Sequence, residues 1–217
     1  MKTVNARILH AALRLFAEKG SRQIAISDLA KEAGLSRGTI YNNIENPDDL
    51  FSILCDLMYL ELRQTARATD TDVTDPAARL ALILRKIIRR VHEERDWGLF
   101  IAQFGMIDPR LGKFWGKMPN QLLRQGLDSG RFHYREAQIH SITALGGGAV
   151  MGATALVLGG IMTWRKSGSD TAELMLRSVG IEAEEARTLS TIPFAPLPRL
   201  DFSKVQLEGT IREGILG

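Results

Sequence analysis

Residues 25–51, AISDLAKEAGLSRGTIYNNIENPDDLF, contain two short helical patterns separated by a glycine turn and followed by a segment that begins at a proline. In the first pattern, Leu29, Ala30 and Ala33 fall on one helical face, which is the spacing of a single buried stripe. Gly34 follows at the position where a helix ends through a left-handed residue. The segment therefore predicts a short helix and then a sharp turn.

The second pattern predicts a helix with a core face and a long polar face. Ser36 is placed to cap it, and Ile40 and Ile44 point inward. The side chains left outside suit the edge of a DNA groove better than plain solvent; they are Arg37, Thr39, Tyr41, Asn42 and Asn43. The two patterns together are typical of a helix-turn-helix.

The surrounding sequence resembles the DNA-binding domain of the TetR family of bacterial transcription regulators over residues 7–51. RILHAALRLFAEKG is similar to that family's first helix, DLAKEAGLSRGTIYNNI to its helix-turn-helix, and DDLF to the start of its fourth helix. The resemblance implies an all-α fold, with an N-terminal three-helix helix-turn-helix DNA-binding domain and a larger helical ligand-binding and dimerisation domain.

Operator contacts are predicted within this motif. Gly38 lets the backbone approach a phosphate, Tyr41 and Thr39 can donate to phosphate oxygens, and Arg37 and Asn42 can reach base edges. The predicted DNA-binding residues are Ser27, Ser36, Arg37, Gly38, Thr39, Tyr41, Asn42 and Asn43. The chain departs from the family pattern at Ser21, Ala25 and Pro47, where an aromatic residue, a capping Ser or Thr, and a Lys are usual.

The domain organisation is predicted from helix starts. Asn46-Pro47, Asp75-Pro76 and Asp108-Pro109 each place a capping side chain before a proline. A helix from Pro47 to about Ala68 would leave the DNA-binding domain and enter the next one, and Pro119 predicts a bend near Met118 in a later helix. The predicted domains are residues 1–48 for DNA binding, 49–191 for ligand binding and dimerisation, and 192–217 for an extended C-terminal arm lying against the body or its partner.

Charge and cysteine content restrict the function only weakly. The formal net charge is +3, and residues 1–50 hold nearly equal numbers of bases and acids, so charge alone does not indicate DNA. DNA binding is favoured instead by the positions of four basic residues around the motif, Lys2, Arg7, Arg22 and Arg37. The single Cys55 excludes an intrachain disulfide and fits a reducing cytoplasm, and its apolar neighbours indicate a core residue.

The segment from Ser141 to Trp164 contains no charged residue. Its length alone allows a transmembrane helix, but small residues at near-heptad and i+4 spacing also permit close packing of two protein helices. We favour a buried subunit interface over an internal core helix or a membrane span, and expect a homodimer. The predicted interface residues are Ala144, Gly148, Gly152 and Ala155.

Large apolar side chains gather in the sixth and seventh predicted helices, where members of the resembled family enclose a small-molecule inducer. Most of this surface must be core, but Gly98 and Gly116 beside the tryptophans favour a cavity. The predicted ligand-binding residues are Trp97, Phe100, Gln103, Phe104, Trp115 and Met118, with Asn120 or Gln121 as further polar contacts. The effector is expected to be hydrophobic or aromatic.

Catalytic motifs are absent from the sequence at useful spacing. The histidines are scattered, so neither a metal site nor any cofactor is predicted. GGGAVMG resembles a dinucleotide loop, but Met151 occupies its third glycine position and no strand pattern precedes it. We therefore expect a cytoplasmic DNA-binding regulator, not an enzyme, most simply a repressor released from a palindromic operator by its ligand. The alternative is a helical dimeric ligand-binding protein of the same fold with weak or lost DNA binding.

Overall fold

The computed structural model describes residues 3–70, 73–195 and 201–205, apart from the side chains of residues 65–70 and 117–118. All regular structure within these ranges is helical, which confirms the predicted all-α fold. The α-helices are α1 (Val4–Lys19), α2 (Ile26–Ala33), α3 (Arg37–Asn43), α4 (Leu50–Asp70), α5 (Pro76–Glu93), α6 (Arg95–Phe104), α7 (Pro109–Asp128), α8 (Ile139–Leu158), α9 (Trp164–Ser178) and α10 (Ala183–Leu189). Short 3₁₀ turns occur at Pro47–Asp49, Glu136–Gln138 and Phe202–Lys204.

Capping residues set the ends of the helices, and those at Asp75 and Asp108 were predicted from the sequence. The Thr3 hydroxyl accepts from the Ala6 backbone N–H at 3.2 Å, and Gly20 ends α1 with a φ of 61°. Asp75 accepts from the Ala77 N–H at 3.1 Å before Pro76. The same device starts α7, since Asp108 accepts from the Arg110 N–H before Pro109.

Helix α5 occupies the centre of the larger domain and packs against α4, α6, α7, α8 and α9. Its apolar stripe is buried and consists of Leu80, Leu84, Ile87, Ile88 and Val91. The fourth helix differs from the prediction at its start, because Pro47–Asp49 form a 3₁₀ turn and α4 itself begins at Leu50. Asn46 caps that turn by accepting from the Asp48 N–H at 3.3 Å.

The uncharged segment is not one helix up to Trp164. Helix α8 ends at Leu158, and the chain turns through Gly159 and Gly160, whose φ of 71° favours glycine. Thr163 then caps α9 by accepting from the Lys166 N–H at 3.2 Å. Residues 164–170 are therefore the first turns of α9.

The C-terminal arm returns to the DNA-binding domain. Phe202 and Val205 are 6% and 3% exposed, and the Phe202 ring lies 4.8 Å from that of His10 on α1. The Asn5 side-chain amide donates to the Val205 carbonyl at 3.4 Å. Residues 201–205 of the arm thus pack against α1.

We predict that Phe202→Ala destabilises the protein by about 3–5 kcal/mol, the usual cost of truncating a buried phenylalanine. Equilibrium unfolding in urea measures this difference in the free energy of unfolding. The control is Lys204→Ala, because Lys204 lies in the same turn and is exposed. Equal stability of the two variants would show that the arm does not pack on α1 in solution.

Candidate functional site

Helix α3 is held on the domain core by one apolar face and a defined cap. Ile40 and Ile44 are 0% and 2% exposed, and the Ser36 hydroxyl accepts from the Thr39 backbone N–H at 3.0 Å. Gly34 joins α2 to this cap with a φ of 62°. Helix α2 begins at Ile26, and Ala25 before it provides no side-chain cap, which is the local consequence of the missing Ser or Thr.

The opposite face of α3 presents polar side chains to solvent. Arg37, Tyr41 and Asn42 are exposed, Tyr41 by 57%, and no hydrogen bond joins their side chains to other described residues. Gly38 and Ser36 are also exposed, as is Ser27 on α2. An exposed tyrosine beside an arginine and an amide is the type of surface that contacts phosphates and base edges.

Asn43 and Thr39 are less available than the sequence pattern suggests. The Asn43 side-chain amide donates to the Thr39 carbonyl at 2.8 Å, and the Thr39 and Ser36 hydroxyls lie 2.8 Å apart. Both Asn43 and Thr39 are half-buried. Their side chains therefore stabilise α3 itself, and Arg37, Tyr41 and Asn42 form the outward surface.

Two arginines that were predicted to flank DNA are occupied within the protein. Arg7 donates to the Ala33 carbonyl at 3.0 and 2.7 Å and to the Gly34 carbonyl at 2.6 Å, so it closes the C-terminal end of α2. The Arg22 guanidinium lies 5.4 Å from the Phe51 ring and 3.8 Å from the Asp108 carboxylate. Lys2 lies outside the described residues.

A buried ionic network connects α4 to the larger domain. Glu61 on α4 pairs with Arg90 on α5 at 2.6 Å, and both side chains are 4% exposed. The Trp97 indole on α6 donates to the other Glu61 oxygen at 3.0 Å, and Arg90 also pairs with Glu94 at 3.1 Å. Three helices are therefore joined through one carboxylate.

The predicted ligand-binding residues of α6 lie at the junction between the domains. The Phe51 ring of α4 lies 4.9 Å from Phe104 and 5.7 Å from Phe100, and the Gln103 amide donates to the Ala17 carbonyl of α1 at 2.7 Å. Trp97 is held by Glu61, and a side chain at Gly98 would meet Val91 at 2.8 Å. The space expected at Gly98, next to Trp97, is filled by α5, because the two helices approach closely there.

A partly enclosed cavity of the larger domain lies elsewhere, between α5, α7, α8 and α9. Its volume is about 100 Å³, and Trp115 is the member of the predicted set that lines it. Phe114 also lines it, and further apolar walls, which sequence reasoning missed, come from Leu84, Ile87, Leu122, Ile142 and Met175. The wall residues of α5, α8 and α9 are far from α7 in sequence, so no local pattern brings them together. The only sequence signal is the pair Gly146 and Gly147, where α8 leaves room for the cavity. The side chain of Met118 lies outside the described part of the chain.

Two polar features adjoin this cavity. The Trp115 indole N–H is buried and has no hydrogen-bond acceptor among the described residues. Thr143 on the cavity wall donates its hydroxyl to Asn120, and Gln121 also lines the space. Because a buried donor without a partner costs about 1–3 kcal/mol, an acceptor atom of a ligand would be stabilising beside Trp115.

Helix α8 has one buried and one open face. Ala144, Gly148, Gly152 and Ala155 are all exposed, and a side chain added at Gly148 or Gly152 would meet nothing within 4 Å. By length and composition alone, residues 136–158 could also cross a membrane. The four predicted interface residues therefore share a flat surface that other described residues leave uncovered.

Features of metal or thiol chemistry are absent from the described residues. No group of three or more His, Cys, Asp or Glu side chains is placed to hold a metal ion within them. Burial raises the pKa of the Cys55 thiol to about 12, so it stays protonated and unreactive near neutral pH.

Comparison with known proteins identifies the family. Residues 8–52 match the bacterial regulatory proteins of the tetR family, and residues 75–191 match the tetracyclin repressor-like C-terminal domain. The chain belongs to the TetR family. Proteins of this family are transcriptional regulators, and they have the two-domain helical architecture seen here.

Individual relatives support the same assignment. An uncharacterised HTH-type regulator of Mycobacterium tuberculosis is 31% identical over 106 residues, which cover 49% of this chain and 51% of that protein. The regulator TtgR of Pseudomonas putida is 32% identical over 90 residues, which cover 41% of each. The matches thus span about half or less of these relatives.

Solved structures match over a greater length. RolR in complex with resorcinol shares 28% identity and a TM-score of 0.62, covering 90% of this chain and 96% of that one. FadR from Bacillus halodurans has a TM-score of 0.69 at 17% identity, covering 84% and 99%. The second likeness shows the fold alone.

We predict that Glu61→Gln lowers the free energy of unfolding by about 3 kcal/mol, because Arg90 loses its closest carboxylate while staying buried. Chemical denaturation measures the change. Glu18→Gln is the matched control, since Glu18 pairs with Arg14 on the surface and exposed pairs contribute about 0–1 kcal/mol. A loss at Glu61 as small as that at Glu18 would contradict a tight network at α4.

Proposed function

We propose that the chain is a homodimeric repressor that binds a palindromic operator and is released when a small hydrophobic or aromatic molecule enters the cavity of the larger domain. The observation that carries this proposal is the outward surface of α3, where the side chains of Arg37, Tyr41 and Asn42 are exposed and make no hydrogen bond to other described residues. Such a surface has no role in holding the domain together. We place the protein in the bacterial cytoplasm, where its DNA lies.

The cavity supports a ligand of about one aromatic ring. Its volume of about 100 Å³ is close to that of engineered cavities of about 150 Å³ that take up benzene. RolR was solved with resorcinol, a single ring with two hydroxyls, whereas FadR from Bacillus subtilis was solved with stearoyl-CoA. The smaller class suits this cavity, and a phenolic oxygen would give the Trp115 indole its acceptor.

Helix α4 is the proposed connection between ligand and DNA. It contacts α7, which forms one wall of the cavity, and its first turns pack Leu50 and Phe51 in the DNA-binding domain. A ligand that displaces α7 would tilt α4 and change the separation of the two α3 helices in a dimer. The ligand can lower DNA affinity by no more than the ratio of its own affinities for the tilted and the DNA-binding arrangements of α4.

We predict that Arg37→Ala and Tyr41→Ala each weaken operator binding by roughly 1–3 kcal/mol without altering the fold, since both side chains are exposed. Fluorescence anisotropy at one fixed salt concentration measures the affinity. Arg124→Ala is the matched control, because it removes a positive charge from an exposed site on α7. Unchanged affinity in both α3 variants would mean that another surface reads the DNA.

We predict that Trp115→Phe reduces the affinity for resorcinol by about 2- to 12-fold, the range of one net hydrogen bond, and leaves operator affinity unchanged. Calorimetric titration of resorcinol measures the first quantity. Trp164→Phe is the control, since Trp164 lies outside the cavity. Equal losses in both variants, or none in either, would place the ligand elsewhere.

We predict that Gly148→Leu weakens the dimer by about 1–3 kcal/mol per site, because it overpacks a surface where two helix backbones should meet. The isolated subunit should tolerate it, since no described atom lies within 4 Å of the added side chain. Gly112→Leu is the control on α7, at a glycine with equally open space. Sedimentation measures the oligomeric state, and a Gly148→Leu dimer as tight as the wild type would move the interface to another face.

A further inference from the structure

A second cleft opens on the side of α5 that does not face the partly enclosed cavity. Its volume is about 400 Å³, and it lies between α5, the first turns of α9 and the residues that follow α10. Three arginines and two aromatic side chains line it, namely Arg85, Arg89, Arg165, Trp164 and Phe194. This composition differs sharply from the apolar cavity, so the two openings suit different ligands.

Arg85 is the unusual member of this cleft. It is 8% exposed, and α9 covers its stem where Gly168 crosses α5. Its guanidinium donates to the Ile192 carbonyl at 2.6 Å and lies 4.8 Å from the Phe194 ring, but it has no carboxylate partner among the described residues. Burial lowers the pKa of Arg85, which fits a cation that lacks a counter-ion.

The neighbouring charges leave a positive excess. Glu93 pairs with Arg89 at 2.6 Å, and Asp170 on α9 pairs with Lys166 at 2.6 Å. Arg165 is exposed, stacks on Trp164 at 4.5 Å and forms no ion pair with the described residues. These two carboxylates are therefore paired with other cations. The guanidinium groups of Arg85 and Arg165 remain available to an anion in the cleft.

We propose that this cleft binds an oxyanion, the carboxylate or phosphate group of a small molecule, through Arg85 and Arg165. Guanidinium groups match the geometry of both oxyanions. The Ser169 and Thr191 hydroxyls already donate to backbone carbonyls, so the cations carry the recognition. A bound anion would compensate the buried charge of Arg85, which is otherwise costly. The proposal is independent of operator binding and of the partly enclosed cavity.

The competing explanation is that Arg85 only clamps Phe194 by a cation–π contact. The two explanations differ in the anion-free protein. If Arg85 is an unfilled anion site, Arg85→Met removes an uncompensated charge and leaves the midpoint of thermal unfolding unchanged or higher. If Arg85 serves only to hold Phe194 in place, the same substitution lowers that midpoint. Any stabilisation of the wild type by anions then persists in the Arg85→Met variant.

The test is thermal unfolding of the full chain during titration with sodium phosphate or, separately, sodium benzoate, with chloride keeping the ionic strength constant. We expect one of the two to raise the wild-type midpoint saturably, by about 3–6 °C at ten times its dissociation constant. Which anion does so identifies a phosphate or a carboxylate ligand.

The variants decide whether this cleft is responsible. Arg85→Met and Arg165→Gln should lose most of the shift, and Arg124→Gln, which changes an exposed arginine of α7, should keep it. The proposal is overturned if neither anion shifts the wild type, or if the shift survives in Arg85→Met.

Discussion

The buried contact of Glu61 with Arg90 and Trp97 is the interaction on which the rest of the structure depends. A carboxylate and a guanidinium that are each 4% exposed are stable only when geometry and further hydrogen bonds compensate their lost hydration. The Trp97 indole supplies one of those bonds at 3.0 Å. The three side chains come from α4, α5 and α6. The position of α4 is therefore fixed by an ion pair and a directional hydrogen bond as well as by apolar contact.

The remaining contacts at the domain junction carry that constraint to the DNA-binding domain. Phe16 of α1 packs edge-on against Phe51 of α4 at 5.3 Å, Gln103 of α6 binds the Ala17 carbonyl, and Phe202 of the arm covers α1 from another side. These contacts leave α1 little freedom to move independently of α4 and α6. A displacement of α4 is therefore expected to reach α3 and not to be absorbed between the domains.

Local features were predictable from the sequence, whereas long-range pairings were not. Gly34, Ser36, Asp75 and Asp108 act within three or four residues of their own positions, so their capping roles are visible in the chain itself. The partners Glu61 and Trp97 are 36 positions apart, and no pattern indicates that they meet. Aromatic residues of α6 are also predicted to line a cavity for the same reason that they form a core, since burial of apolar area favours both. Whether they line a cavity or form a core depends on how closely α5 and α6 approach. At Gly98 the two helices are too close to leave a cavity between them.

The central claim, that this fold reads DNA as a symmetric dimer, is tested most directly by selecting bound fragments from a pool of random duplexes with the full chain. The account predicts a dyad-symmetric consensus whose half-sites are spaced for two α3 helices in successive major grooves. Recovery of fragments without a shared symmetric sequence would contradict it and would favour a ligand-binding dimer of the same fold that has lost its operator.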